Sequence, residues 1–381
     1  MRQNDFEDTR PYYDHEIPDA IKRVSENIYF PELVKFLFPN GDIKYFFEKF
    51  RKIATIDQFQ FQIMDQVIRI TLKLTTKEFS YSGFEKLTND KSYIYISNHR
   101  DILLDSAILQ VILHECNLKT SEITFGSNLM SSQFVIDIGK MNKMFKIDRG
   151  GTAKEIFANS LKVSQYMRYT ITEKKESIWI AQRNGRTKNG DDKTETAVLK
   201  MFAMGSAKPF VPNFLELNIT PVAISYMYEP CDFLKTREIY ISRRKTYVKN
   251  AEEDINSIVN GIKQWKENLH IAVCDTITKE ELIRCNALPQ NEKYKRLAQI
   301  IDQKIFARYQ LWTTNYIAYD LLHDTDKFSS RYSNEQKEQF SAYMNAGLQD
   351  IEGDISELQN IFLNIYALPV KNCMSIKKMN I

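Results

Sequence analysis

The sequence predicts an α/β protein, a mixed sheet flanked by helices, with a helical region before it and another after it. Two observations carry this expectation. From Ser92 onward, short apolar runs alternate with helix-length segments: SYIYIS, ILLDSAILQVILHE, EITFGS, SSQFVIDIGKMN and MFKI, then KEIFANSLKVSQYM, SIWIAQ, ETAVLKMFAMGS, NITPVAISYMY and LHIAVC. On both sides of that stretch the apolar residues recur at spacings of three and four. They do so in YFPELVKFLF, IKYFFEKFRKI and FQFQIMDQVIRITLKL before it, and in KYKRLAQIIDQKIFARYQLWTTNYIAYDLL after it. The expected organisation is a helical region over residues 1–88, an α/β domain over 89–280 and a C-terminal helical region over 281–381.

The 381 residues are 43% apolar and 27% charged, the range of globular chains. With 52 basic and 49 acidic residues the net charge is +3, which gives no general attraction to nucleic acid, so any anion site must be local. The five cysteines, at 116, 231, 274, 285 and 373, form no C-x-x-C pair and suggest reduced thiols rather than a disulfide framework or a zinc site. His15, His114, His270 and His323 lie far apart with no i, i+4 pair, so no metal is expected. The polar, acidic N-terminus lacks the apolar stretch of a signal peptide, and no apolar run is long enough to span a bilayer.

Four segments carry the chemistry. The strand SYIYIS runs directly into Asn98-His99-Arg100-Asp101-Ile102-Leu103-Leu104-Asp105, which sets a histidine at a strand end, where α/β proteins hold reactive groups. Histidine titrates near neutrality and can take a proton from an alcohol attacking a carbonyl, while a carboxylate on its other nitrogen would fix the tautomer. Further on, Phe145-Lys146-Ile147-Asp148-Arg149 ends in an arginine suited to pairing with phosphate. Next, Gln182-Arg183-Asn184-Gly185-Arg186-Thr187-Lys188-Asn189-Gly190 is a cationic, glycine-containing loop that can approach a phosphate. Last, Pro221 begins a buried strand.

The order of these segments resembles the glycerolipid acyltransferase superfamily, whose best-known bacterial members acylate lysophosphatidic acid. The fragments NHRDI and AQRNGR are similar to those of a bacterial subfamily carrying NHRDI and AQREGR. The resemblance covers about 92–228. It implies that His99 is the general base, that Arg149 and Arg186 bind phosphate, that Gly185 is the loop glycine and that Pro221 is the fourth-block proline; Asn98, Arg100, Arg183 and Asn184, next to these in the sequence, are expected to contact substrate with them. The implied reaction moves a fatty-acyl group from acyl-CoA or acyl-ACP, a co-substrate rather than a bound cofactor, to a lysolipid hydroxyl. Acyl carrier protein and a membrane surface are the implied partners. The implied location is cytoplasmic, peripheral on the inner face of the cytoplasmic membrane.

Two positions depart from the family pattern. The aspartate expected five residues after the histidine is Leu104, with carboxylates instead at Asp101 and Asp105. Asp105 is favoured as the partner, because Asp101 also suits a helix N-cap, but either remains open. Asn184 stands where the family has glutamate, which leaves the acceptor open among lysophosphatidic acid, glycerol 3-phosphate and a lyso-aminolipid. The rival readings are a non-catalytic lipid-binding protein of the same fold and a hydrolase using Ser97 or Ser106. For membrane contact the candidate segments are FFEKFRKI and Ser242-Arg243-Arg244-Lys245.

Overall fold

The computed structural model describes residues 6–28, 30–37, 43–130, 132–148, 150–247 and 251–379. Its centre is a seven-stranded mixed sheet: β1 (Thr76–Ser82), β2 (Ile94–Ser97), β3 (Glu122–Gly126), β4 (Met144–Ile147), β5 (Ile178–Ala181), β6 (Ile219–Tyr226) and β7 (Glu267–Val273). The order across the sheet is β1-β7-β6-β2-β5-β3-β4. Strands β6, β2, β5, β3 and β4 are mutually parallel, while β7 runs antiparallel to β6 and carries β1 parallel to itself. The carboxyl ends of β2, β5 and β6 therefore meet at one edge, and the starts of β7 and β1 lie at that same edge.

The central strands are apolar on both faces because both faces are covered. Ile94 and Ile96 of β2, with Ile178 and Ile180 of β5, pack on one side against Leu199 and Phe202 and against Leu297, Ile301 and Ile305. The latter three belong to the helix Gln290–Arg308 in the C-terminal region. On the other side Tyr95, Trp179, Val222 and Ile224 meet Leu104, Ile108 and Ile112 of the helix Leu104–Glu115. The sheet begins earlier than expected. β1 lies inside the stretch read as helical, because the helix Asp65–Thr75 ends where Thr76 turns extended (φ −128°, ψ 147°). Two adjacent threonines followed by alternating Phe79 and Tyr81 favour the strand, but helical spacing runs up to its first residue.

The aromatic residues of the N-terminal helices form their own core with Ile17, Ile21, Val24, Phe30, Phe50 and Phe59 buried together. FFEKFRKI is part of this packing, with Phe46, Phe47 and Phe50 around Phe30. Arg243 and Arg244 both pair with Glu357 of the C-terminal helix Ile355–Met379. Both segments that seemed suited to membrane contact are thus engaged within the fold. Among the described residues no helix is long and apolar enough to cross a membrane.

The C-terminal helices are tied down through Asp232, a fully buried carboxylate that accepts from Tyr366 Oη at 2.6 Å, Tyr343 Oη at 2.9 Å and Gln264 Nε2 at 3.0 Å. Burial pushes it up to about 6, against these bonds. The unfolded carboxyl releases its proton near 3.9, so the folded state holds the proton over a range where the unfolded one does not. The contribution is complete below about pH 4 and is lost as pH rises through about 6. Melting temperatures of the wild type and Asp232→Asn, followed from pH 4 to 8, should show this decline in the wild type and a flatter profile in the variant.

Candidate active site

His99 follows β2 directly, at the edge where the parallel strands end. Its Nδ1 donates to Asp105 Oδ2 at 2.9 Å. The same oxygen accepts from the backbone N–H of Arg100 at 2.6 Å and of Asp101 at 2.9 Å, and Asp105 Oδ1 accepts from Tyr226 Oη at 2.9 Å. With Nδ1 as donor, Nε2 carries the lone pair, the tautomer a general base needs. The imidazole side chain is 13% exposed. The edge of the ring meets Trp179, whose Nε1 is held by Ser97 Oγ at 3.0 Å. Ser106 Oγ donates to Leu103 O at 3.3 Å. Both serines of the hydrolase reading are thus bonded away from the histidine.

The choice between the two carboxylates is resolved by where the helix starts. It begins only at Leu104, so residues 99–103 are not helical and the extra residue before Asp105 is taken up in the turn. Asp101 caps the helix from two residues before its N-cap position, Leu103: its Oδ1 accepts from Leu103 N at 2.9 Å and Leu104 N at 2.8 Å. Burial pushes the Asp101 carboxyl up and the Asp105 charge adds to this, while the helix amides and the Arg186 charge oppose it. Asp101 makes no contact with the imidazole among the hydrogen bonds of the described residues.

Asn98 and Arg100, expected to touch substrate, are turned inward instead. Asn98 is fully buried and bridges β2 to β6, its Oδ1 accepting from Ile224 N at 2.8 Å and its Nδ2 donating to Ile224 O at 2.9 Å. Arg100 is 1% exposed and pairs with Asp192 and with Glu229, the latter at 3.1 Å. Burial works against its charge, but these carboxylates outweigh it and hold the guanidinium protonated. Lys235 closes the cluster, donating to Glu229 Oε1 at 2.6 Å and to the Arg100 carbonyl at 2.7 Å. The reason for the difference is positional: successive residues leaving a strand point to opposite sides, so His99 facing outward sends its neighbours inward.

The cationic loop stands beside the histidine. Thr187 N donates to the His99 carbonyl at 2.7 Å. Of the loop's cations, Lys188 pairs with Glu238 and Arg183 Nε lies 4.0 Å from Glu195 Oε1. Arg186 is 8% exposed, and among the described residues its Nη1 has no hydrogen-bond partner. A buried guanidinium left with an open donor is costly unless something accepts from it. Asn184 and Gly185 are exposed at the loop's tip, with Asn184 N donating to Glu195 Oε2 at 3.1 Å. A carboxylate therefore stands beside the position where the family's glutamate is replaced by asparagine. Gly185 has φ +74°, which its lack of a side chain permits. Arg149 lies outside the described residues. Tyr226, Trp179, Asp192 and Glu229 were not anticipated; the one legible signal was that Tyr226 closes the strand containing Pro221, which is the third residue of β6 rather than its first.

Residues 78–225 match the family model described as Acyltransferase. Among solved structures the chain is similar to the 1-acyl-sn-glycerophosphate (LPA) acyltransferase PlsC from Thermotoga maritima, at 9% identity and a TM-score of 0.38, over 77% of this chain and 96% of that one. No curated protein matches. The stretch matched by the acyltransferase model contains His99, Asp105 and Arg186.

Proposed function

We propose that the protein transfers a fatty-acyl group from acyl-CoA or acyl carrier protein to the free hydroxyl of a lysophospholipid-type acceptor, with lysophosphatidic acid the first choice. The observation that carries this reading is Arg186, a nearly buried cation with an unfilled donor, on a loop bonded to the carbonyl of His99. A phosphate accepted by Arg186 would bring the acceptor's hydroxyl toward the imidazole. His99 Nε2 takes the hydroxyl proton as the oxygen attacks the thioester carbonyl. The tetrahedral intermediate then collapses, the C–S bond breaks, and the thiolate receives the proton from the imidazolium. Asp105 stabilises that imidazolium through Nδ1–H.

The two carboxylates separate cleanly in this scheme. His99→Ala should abolish turnover, and Asp105→Ala should lower kcat by about 10³-fold or more, as misorienting a catalytic histidine does. Asp101→Ala should instead cost about 1 kcal/mol of stability through the lost cap with a much smaller kinetic effect. Steady-state rates beside denaturant melts on the three variants check this; an Asp101 variant slower than the Asp105 variant would reverse the assignment.

The acceptor is tested by turnover of labelled acyl thioester with lysophosphatidic acid, glycerol 3-phosphate and a lyso-aminolipid. Arg186→Ala should raise KM for a phosphate-bearing acceptor about 10-fold or more, the scale of a lost charge-assisted pair, and leave a phosphate-free acceptor unaffected. Turnover confined to the aminolipid would overturn the phosphate reading.

Lipid substrates require contact with a lipid surface, and the edge that holds His99 offers one. The helix Ala251–Lys263 crosses this edge: Asp254 accepts from Asn128, and Gly261 lies so close over Asp101 Oδ2 that a Cβ there would come within 2.0 Å. Ile255 and Val259 of that helix, with Trp265 and Leu74 beyond it, are exposed, and exposed Lys73 and Lys77 flank Leu74. The apolar side chains suit the acyl boundary of a bilayer and the lysines beside Leu74 suit anionic headgroups, while Glu252, Glu253 and Asp254 stand at the other end of the patch. The double variant Ile255→Glu/Val259→Glu should lose flotation with phosphatidylglycerol-containing vesicles and keep its activity on detergent-dispersed acceptor; unchanged flotation would move the contact elsewhere.

A further inference from the structure

We propose that the C-terminal helical region clamps the arginine-bearing loop 182–195 in place, with Asp302 as its positioning residue. This rests on the reading of that loop as the acceptor-binding element.

The loop has no regular secondary structure to hold it. Its feet are joined by one backbone bond, Glu195 N to Gln182 O at 2.9 Å, and its middle is tied to the catalytic strand by Thr187 N on the His99 carbonyl. Asp192 adds contacts to Arg100 and, at 3.2 Å, to Asn98 Nδ2. Two further restraints come from beyond the α/β domain. Asp302 is on the helix Gln290–Arg308, and its Oδ1 accepts from both Thr194 N at 2.8 Å and Thr194 Oγ1 at 2.6 Å. Gly190, at φ +85°, rests against the Ile365 carbonyl of the helix Ile355–Met379, where a Cβ would come within 2.3 Å. The first restraint fixes the returning limb of the loop, and the second limits how far its turn can move outward.

The location of Asp302 is otherwise unfavourable. Burial pushes its carboxyl up to about 7 against the two Thr194 bonds, and the neighbouring Asp192 and Asp191 charges add to the rise. Core packing alone would be served better by an apolar residue. What the carboxylate supplies is a pair of bonds to one loop residue, which narrows the conformations open to a segment that must present Arg186 at a fixed distance from His99. Loops that bind substrate lose affinity when each encounter has to order them first.

The experiment uses full-length protein and two readouts. Asp302→Ala should raise KM for the phosphate-bearing acceptor about 10-fold with kcat within about twofold of wild type, whereas Asp302→Asn, which keeps an acceptor oxygen for Thr194, should stay near wild type. Hydrogen exchange of the loop amides, Thr187 N–H in particular, should accelerate about 10-fold or more in Asp302→Ala while the β2 and β5 amides remain protected. Unchanged loop exchange would overturn the clamp. So would a fall in kcat at constant KM, the signature of a smaller folded fraction. Because exchange needs no substrate, it decides the clamp even if wild type fails to turn over any phosphate-bearing acceptor, a result that would defeat the proposed function alone.

Discussion

The site depends on one carboxylate oxygen. Asp105 Oδ2 gathers the imidazole N–H of His99 and the two backbone N–H groups that follow it, while Oδ1 takes the Tyr226 hydroxyl. Bonds to an ionised acceptor are the strong ones, and this carboxylate also sits in the first turn of the helix Leu104–Glu115, where negative charge is favoured. The turn from β2 into the helix is thereby wound around a single atom. That winding sets the tautomer of His99, sends Arg100 the opposite way into the protein, and leaves Asp101 at the position where it caps the helix.

Arg100 then carries the order inward. Its guanidinium lies between Asp192 of the cationic loop and Glu229 beyond β6, and Lys235 adds a second cation to the same cluster. Two cations and two carboxylates leave the cluster formally neutral, which is the condition for burying charge at all. Such clusters seldom add net stability, because desolvation consumes what the pairing returns, yet losing one member strands the rest. Their use here is geometric. A guanidinium has a fixed fork of donors, so the loop and the end of β6 are set relative to the strand end that bears His99, with little freedom to slide.

Much of this was legible in the sequence, and the limits follow from what a sequence encodes. The parallel strands announce themselves because burial on both faces makes them continuously apolar, and His99 is legible because it directly follows one of them. β1 is an edge strand with one half-buried face, so its pattern is short and the helical spacing before it runs on. The partner of His99 depended on the first residue of a helix, which periodicity locates only to within a residue or two. Asn98 and Arg100 were misassigned for a different reason. A charged residue next to a catalytic one reads as substrate-binding, and the residues that bury it, Asp192 and Glu229, lie too far along the chain for any local pattern to connect them. The same distance hid which cation on the loop was unpaired, since Lys188 is answered by Glu238 and Arg183 approaches Glu195, while among the described residues Arg186 forms no ion pair and acts on Asp101 only through its charge.

The chemistry and its support are divided unequally along the chain. The family match ends at Ser225, one residue before Tyr226 bonds Asp105 and well before Glu229, Lys235 and Asp302 take up the loop and the strand end. His99, Asp105 and Arg186 are all inside the matched stretch, so the reacting groups are supplied by less than half of the sequence. Their placement is not. The bond from Tyr226 to Asp105, the pairing of Glu229 with Arg100 and the bonds from Thr194 to Asp302 each join residues more than a hundred positions apart. Closing spans of that length costs entropy that local structure does not repay, so these contacts depend on the surrounding fold rather than on their own neighbours in sequence. The C-terminal helices are therefore part of the active site in a physical sense, although none of their described residues meets the imidazole: through Asp302 and the Ile365 carbonyl they complete the enclosure that holds the loop.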